Sequence, residues 1–287
     1  MKMHWPYFFL LPFIFFFVSV YAYPIFMAIY ASLFKWTLGA TAKEFIGLGN
    51  YASLLADEEF LVSLENTLFF ATLYIPAVVS LSLMIALWLN QKFLRGTGIA
   101  LALLLFPLIV PDVTVGAIWR WLLAEQNGVV NNILSAIGIG RIPWLSTRLY
   151  GMLGVAIIAI WRTIGYYTVM FLSGLQAIPQ QYYEAASVDG ATSFQRFRYI
   201  TLPILTPIFV FVTSIATLNA MQLFTEVFIV TQGGPGFSTS SLVLKAYNEL
   251  YIAFQFGKAS AVSVIIELLV LVAVVVQIKY IAKTLVK

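Results

Sequence analysis

"YYEAASVDGATSFQRFRYITLP", Tyr182 to Pro203, is a charged stretch set between two strongly apolar segments. Glu184, Asp189, Arg196 and Arg198 make it too polar to cross a membrane. Its local signals agree with one another. Pro179, just upstream, suits the first turn of a helix, where no N–H is needed. Gln180 to Val188 contain no breaker. Gly190 is placed to end that helix, because glycine tolerates the left-handed conformation. Thr192 followed by Gln195 fits a capping box for a second, short helix. Pro203 is expected to close that helix and open the next apolar segment. The stretch therefore reads as helix, glycine turn, helix, lying in water beside a bilayer. On the first helix Ala185 and Ala186 present little side chain, so another protein can approach the backbone closely. Tyr182 and Val188 are apolar, and Glu184 and Asp189 supply charge. This is the chemistry of a plug for a cleft on a partner.

The rest of the chain explains the bilayer. Of its 287 residues 61% are hydrophobic and 10% charged, and the mean hydropathy is +0.93. A soluble domain carries roughly a quarter of its residues as charges. Each membrane span needs about 20 residues, so about six spans with their loops fill the chain as one transmembrane domain, residues 1–287, with 179–203 as a loop within it. The expected fold class is an all-α, polytopic membrane protein. With no cysteine, disulfides and thiolate metal sites are excluded. A net charge of +4 is what lipid contact entails and gives no sign of nucleic-acid binding.

The spans are expected at 7–33, 67–89, 99–123, 150–176, 205–230 and 259–282. The first follows Lys2 but is about twice as long as a signal-peptide core and has no A-x-A site, so it reads as a retained anchor. The third contains "FPLIVPDVTVG", in which Pro107 and Pro111 each remove a backbone hydrogen bond and predict a kink. Orientation follows from basic residues in short loops. With both termini cytoplasmic, Lys2, Lys92, Arg95, Arg196, Arg198, Lys279, Lys283 and Lys287 lie inside, and Tyr182 to Leu202 faces the cytoplasm. The outer loops hold Lys35, Lys43, Arg141, Arg148, Lys245 and Lys258.

The pattern E-A-A, three residues, G, nine residues, I-x-L-P stands in full as Glu184-Ala185-Ala186, Gly190, Ile200 and Leu202-Pro203. It resembles the cytoplasmic loop of permease subunits of ATP-binding cassette (ABC) importers of bacteria and archaea. "FIGLGNY" (Phe45 to Tyr51) and "TQGGPGFST" (Thr231 to Thr239) look like the sugar-permease branch, and within it like the subunit type of the maltose and glycerol-phosphate permeases that carries T-x-G-G-P. From the residues alone, Gly233, Gly234, Pro235 and Gly236 read as a turn-rich external loop. The resemblance implies a coupling helix docking on an ATPase, with Glu184, Ala185, Ala186, Asp189, Gly190, Leu202 and Pro203 as the coupling set. It also implies a second permease subunit, two cytoplasmic ATPase subunits, an external solute-binding protein and a cell-membrane location. The chain would need no cofactor of its own, ATP being bound and hydrolysed by the partners. In keeping with that, no G-x-x-x-x-G-K-[ST], H-E-x-x-H or G-x-S-x-G occurs, and the one histidine is His4. The chain is not expected to be an enzyme.

Four charges fall inside spans: Asp112, Arg162, Glu226 and Glu267. Each would cost about 2.5–3.5 kcal/mol or more facing lipid at mid-depth. Helical rise places Asp112, Arg162, Glu267 and Asn219 in one layer, with Glu226 nearer the outside. Two readings stand open. One is structural, Arg162 pairing with Asp112 or Glu267. The other is a polar path for a polyol, in which Asn219, Gln222 and Glu226 share a face of the fifth span at i, i+3 and i+7, and Arg162, Tyr166 and Ser173 lie near one face of the fourth. Amides pair with hydroxyls and aromatic rings cover sugar faces. The candidate path residues are Arg162, Tyr166, Asn219, Gln222 and Glu226, and the expected cargo is a sugar or oligosaccharide. An ion-gradient transporter, a permease for glycerol-phosphate or another polyol, and a non-transporting scaffold are the rival readings.

Overall fold

The computed structural model describes residues 5–40, 42–91 and 96–285, with side chains placed between 9 and 280. Lys2, His4, Lys92, Arg95 and Lys287 lie outside the described residues, as does the Lys283 side chain, so part of the basic pattern used for orientation lies there too. The elements run α1 (Trp5–Phe17), a π-helical turn (Val18–Ala22), α2 (Tyr23–Ser32), β1 (Phe34–Lys35), β2 (Glu44–Phe45) and α3 (Gly49–Leu55). They continue with α4 (Glu58–Leu89), α5 (Thr97–Ile109), α6 (Asp112–Leu122), α7 (Val129–Ala136), α8 (Arg148–Gln176), α9 (Gln180–Val188) and α10 (Ser193–Arg196). α11 (Leu202–Met221), α12 (Leu242–Tyr251) and α13 (Phe256–Leu285) complete the chain. Among the described residues the only sheet is the short antiparallel pair β1–β2. The fold is all-α and multi-pass, as the composition requires. Among the described residues five helical stretches are long and apolar enough to span a bilayer, or six if the bent pair α5–α6 counts as one span.

The chain divides into two compact units. The first takes the residues up to Leu61 and Lys245–Leu268. None of the apolar window of its first span, Phe9–Ser32, is buried, and Phe13, Phe15 and Phe16 expose their rings as a helix in lipid would. The "FIGLGNY" segment holds the end of that span: Asn50 Nδ2 donates to the carbonyls of Ser32 (2.7 Å) and Phe34 (2.9 Å), and the Tyr51 hydroxyl donates to Ser32 Oγ (2.7 Å). Buried Lys245 sits among three carboxylates, Asp57 (2.8 Å), Glu59 (2.8 Å) and Glu249 (3.0 Å).

The second unit takes Val62–Leu244 and the residues from Leu269 on. α8 is its axis, buried along more than half of its apolar window. α5 crosses α8 at Gly165, where a Cβ would stand 2.1 Å from the Leu104 carbonyl oxygen, so only glycine allows the two backbones to approach. α11 is tied to the last helix by Thr217 and Gln277: the Gln277 amide donates to Thr217 Oγ1 at 2.7 Å.

Two spans depart from the expected straight or kinked form. α5 and α6 meet at 95°, a break rather than a kink. Val110 (φ −73, ψ 134) and Pro111 (φ −56, ψ 134) are both extended, because proline pushes the residue before it out of the helical region. Pro107, by contrast, is accommodated inside α5 and buried. The fifth span ends its α-helix at Met221 and resumes as a π-helical turn, Val227–Thr231. Asn219, Gln222 and Glu226 are therefore not a stripe on one helix. The sequence holds neither proline nor glycine there. Ser241 Oγ donates to the Leu223 carbonyl at 2.6 Å and holds the interruption.

Candidate functional site

The polar stretch folds nearly as its signals require. Pro179 is the N-cap of α9 rather than its first helical residue. At the other end Gly190 has φ +77, Ala191 N–H donates to Ala186 O (2.9 Å), and Gly190 N–H donates to Ser187 O (3.2 Å). This is the Schellman pattern, which a left-handed glycine closes. The capping box is present, with Gln195 N–H on Thr192 Oγ1 (3.3 Å) and Thr192 N–H on Gln195 Oε1 (2.7 Å). Pro203 does not close the second helix. α10 runs through a π-helical turn, Phe197–Thr201, into α11. The wider turn lets the chain pass a residue that lacks an N–H without ending. Leu202 and Pro203 are thus half-buried at the root of the span.

α9 itself is exposed. Glu184, Ala185, Asp189 and Gly190 are open to solvent and Ala186 is half-buried. Val188 is 88% exposed, and Tyr182, Phe194 and Tyr199 are all more than half exposed. Arg196 braces the turn by donating to Ser187 Oγ at 3.0 Å. Ala186, Asp189, Gly190, Arg196 and Tyr199 border a recess of about 360 Å³. A polar loop that leaves this much apolar side chain in water has the composition of a docking surface.

A second site lies in the same unit. A cavity of about 450 Å³ is lined by all five candidate path residues, Arg162, Tyr166, Asn219, Gln222 and Glu226, together with Asp112. α8 supplies Arg162 and Tyr166 one turn apart. The break before α6 sets Asp112 in the first turn of that helix, where the N-terminal dipole favours an acid. The interruption after Met221 turns Gln222 and Glu226 back toward α8. Arg162 bonds Asp112 through Nη1 and has Glu226 Oε1 3.5 Å from its Nε. Of the two pairings weighed from sequence, Asp112 is present. Glu226, read as nearer the outside, takes the place of Glu267, which is not among the lining residues. Ser173 also lies off the site, donating to Met170 O at 2.8 Å. Asp112 and Glu226 are thus ion-paired with Arg162, and all three also form part of the cavity wall.

The amides differ in their freedom. Asn219 Nδ2 donates to the Tyr167 hydroxyl at 2.7 Å, and its side chain is otherwise exposed to the cavity. Gln222 is exposed there too. Phe70 and Tyr74 of α4 and Phe224 add aromatic wall. Those were missed in the sequence, where aromatic residues in an apolar run look like lipid contact. The Tyr74 hydroxyl is fixed against Thr163 Oγ1 at 2.8 Å. Such a surface offers hydrogen bonds and ring faces around a fixed ion-paired group.

The T-x-G-G-P segment is not a loose loop. Thr239 is fully buried, its hydroxyl 2.8 Å from Gly234 O and 2.9 Å from Thr231 Oγ1, with one proton to share between the two oxygens. Asn66 Nδ2 donates to the carbonyls of Ser238 and Ser240, both at 2.9 Å, and Arg148 Nε donates to Asn66 Oδ1 at 2.8 Å. α4 and α8 thereby clamp the segment.

The chain is 35% identical over 256 residues to the trehalose/maltose transport system permease protein MalF of Thermococcus litoralis, covering 89% of this chain and 86% of that one. It is 35% identical over 262 residues to the lactose transport system permease protein LacF of Rhizobium radiobacter (89% and 87%). It is 32% identical over 279 residues to the sn-glycerol-3-phosphate transport system permease protein UgpA of Agrobacterium fabrum (97% and 94%). The fold is shared with a chain in the crystal structure of a bacterial ABC transporter involved in the import of the acidic polysaccharide alginate. The TM-score there is 0.82 at 23% identity, covering 97% of this chain and 95% of that one. The family described as "Binding-protein-dependent transport system inner membrane component" matches residues 65–285, so the chain belongs to that family and is a transport component of the membrane, not an enzyme.

Proposed function

We propose that this chain is the permease subunit of an ABC importer for a sugar or small oligosaccharide. In this reading it assembles with a second, different permease subunit and two cytoplasmic ATPase subunits, one of which receives α9, and accepts cargo from an external solute-binding protein. The coupling set is Glu184, Ala185, Ala186, Asp189 and Gly190 on α9 and its turn, with Leu202 and Pro203 joining that turn rigidly to α11. Movement of α9 by the ATPases is passed through this continuous helix to Asn219 and Gln222 at its far end. Both termini and α9 are on the cytoplasmic side.

The observation that carries the reading is the cavity of about 450 Å³ with Asn219, Gln222 and Tyr166 in its wall. Its size falls among small-ligand sites, about 300–1,000 Å³. Amides can donate to and accept from hydroxyls, and the aromatic residues suit sugar faces. Arg162 is already held by Asp112 and Glu226, so the wall offers no uncommitted cation for a phosphate. This favours a sugar over a glycerol-phosphate.

The test is uptake by proteoliposomes. With the second permease, the ATPase subunits, binding protein and internal ATP present, uptake of trehalose, maltose, lactose or a related oligosaccharide is expected. The chain alone, under a proton or sodium gradient, is expected to take up none. Gradient-driven uptake by the isolated chain would establish the secondary-transporter reading instead.

A further inference from the structure

α13 carries an acid in the middle of an apolar span. Glu267 lies within Phe256–Tyr280, about 16 Å from one end and about 20 Å from the other at the helical rise of about 1.5 Å per residue. Its side chain is exposed. Among the described residues it makes no ion pair. The cations of its own helix, Lys258, Lys279 and Lys283, are all more than two turns away along it. Ser263, one turn back, donates to Ala259 O at 3.1 Å. The other two acids read inside spans, Asp112 and Glu226, are both committed to Arg162. Leu268, beside Glu267, is also exposed, so the acid stands on an apolar surface.

A carboxylate in that position does not face hydrocarbon. Ionisable groups at mid-depth face a protein interior or a water-filled space, and they pair. We propose that the Glu267 face of α13 is an interface with a second membrane-spanning chain of different sequence, which presents a cation or amide donor to Glu267 at mid-depth. This rests on the reading of the chain as one of two unlike permeases. A second copy fits poorly. A two-fold contact sets a patch against itself, and centred on Glu267 it would bring two carboxylates together away from water, which disfavours the charged form of each. A different chain can supply the complementary group.

The test uses the assembled transporter purified from its own membranes through a tag on this chain, with a photo-crosslinking residue in place of Leu268. The expected adduct, identified by mass spectrometry, is with a different polytopic chain. It should lie in a transmembrane segment with Lys, Arg, His, Asn or Gln within one turn of the modified residue. Glu267→Lys should lower recovery of that chain at least tenfold at an unchanged membrane level of this one. Glu267→Gln, which still forms hydrogen bonds, should retain most of it. Where the partner group is a cation, its replacement by Glu should restore the Glu267→Lys complex. An adduct with lipid alone, while the second permease still co-purifies, would overturn the face and leave the two-permease reading standing. An adduct with a second copy of this chain would overturn both. Undiminished recovery with Glu267→Lys would overturn the charge complementarity.

Discussion

Lys245 shows how much a single side chain can organise. Burial alone would push its ammonium down, but the hydrogen bonds it donates to Asp57, Glu59 and Glu249 outweigh burial and hold it above the ordinary 10.5. Burial likewise pushes Asp57 up, and the hydrogen bond and charge of Lys245, with the Phe60 and Glu59 N–H groups, hold it below 3.8. The signs fix a window. Asp57 contributes stability above 3.8, lost as pH falls through its lower folded value. Lys245 contributes stability below 10.5, lost as pH rises through its higher one. Lys245→Met strands three carboxylates and should cost about 3–5 kcal/mol at neutral pH. The deficit should shrink on acidification as Asp57 loses its charge. Thermal unfolding of the purified protein across pH checks this, and equal transition temperatures at pH 7 would contradict it. In the sequence Lys245 is one more basic residue of an outer loop. Its carboxylates Asp57 and Glu59 are far away in the chain, and nothing local announces them.

The α9–α10 turn is the opposite case, because every signal that shapes it is local. Pro179, Gly190, Thr192 and Gln195 act within a few residues, and the structure differs from their reading mainly at Pro203. The broken spans were less legible. Pro111 announced an interruption but not its 95° angle, which depends on packing. The break after Met221 had no local sign, since its hydrogen-bond donor is Ser241. The i, i+3, i+7 spacing of Asn219, Gln222 and Glu226 was thus a helical argument for residues not on one helix. They meet in one cavity because the interruption re-aims them. For α9, two substitutions separate docking from folding. Glu184→Lys reverses an exposed charge, and Gly190→Val puts a β-branched residue at φ +77, which it resists. Each should reduce ATPase co-purification several-fold and abolish substrate-stimulated hydrolysis, while the chain inserts at its usual level. Unaltered ATPase binding and uptake in both variants would remove α9 from the coupling role.

For the entire chain, composition was enough to establish a multi-pass helical protein, because so much apolar surface has no other solvent than lipid. Sidedness rests on the basic residues of the short loops. The cysteine-free background makes it testable. Ser193→Cys should react only with membrane-permeant reagents, and Arg141→Cys, exposed in the opposite loop, with impermeant ones as well. The reverse pattern would put α9 outside and end its link to ATP.

The claim on which the rest depends is that the cavity beside Arg162 holds the cargo. Sugar uptake by the Asn219→Ala and Gln222→Ala transporters, measured beside complex yield and basal ATP hydrolysis, tests it most directly. Removing one hydrogen bond to a hydroxyl costs about 0.5–1.5 kcal/mol. At saturation-limited binding this lowers apparent affinity roughly two- to tenfold. Both variants should assemble and hydrolyse ATP at the basal rate while uptake falls and preference among sugars shifts. Arg162→Ala, which frees Asp112 and Glu226 from their shared cation, should instead reduce complex yield. Wild-type uptake kinetics and selectivity in both amide variants would contradict the assignment of this cavity as the sugar path.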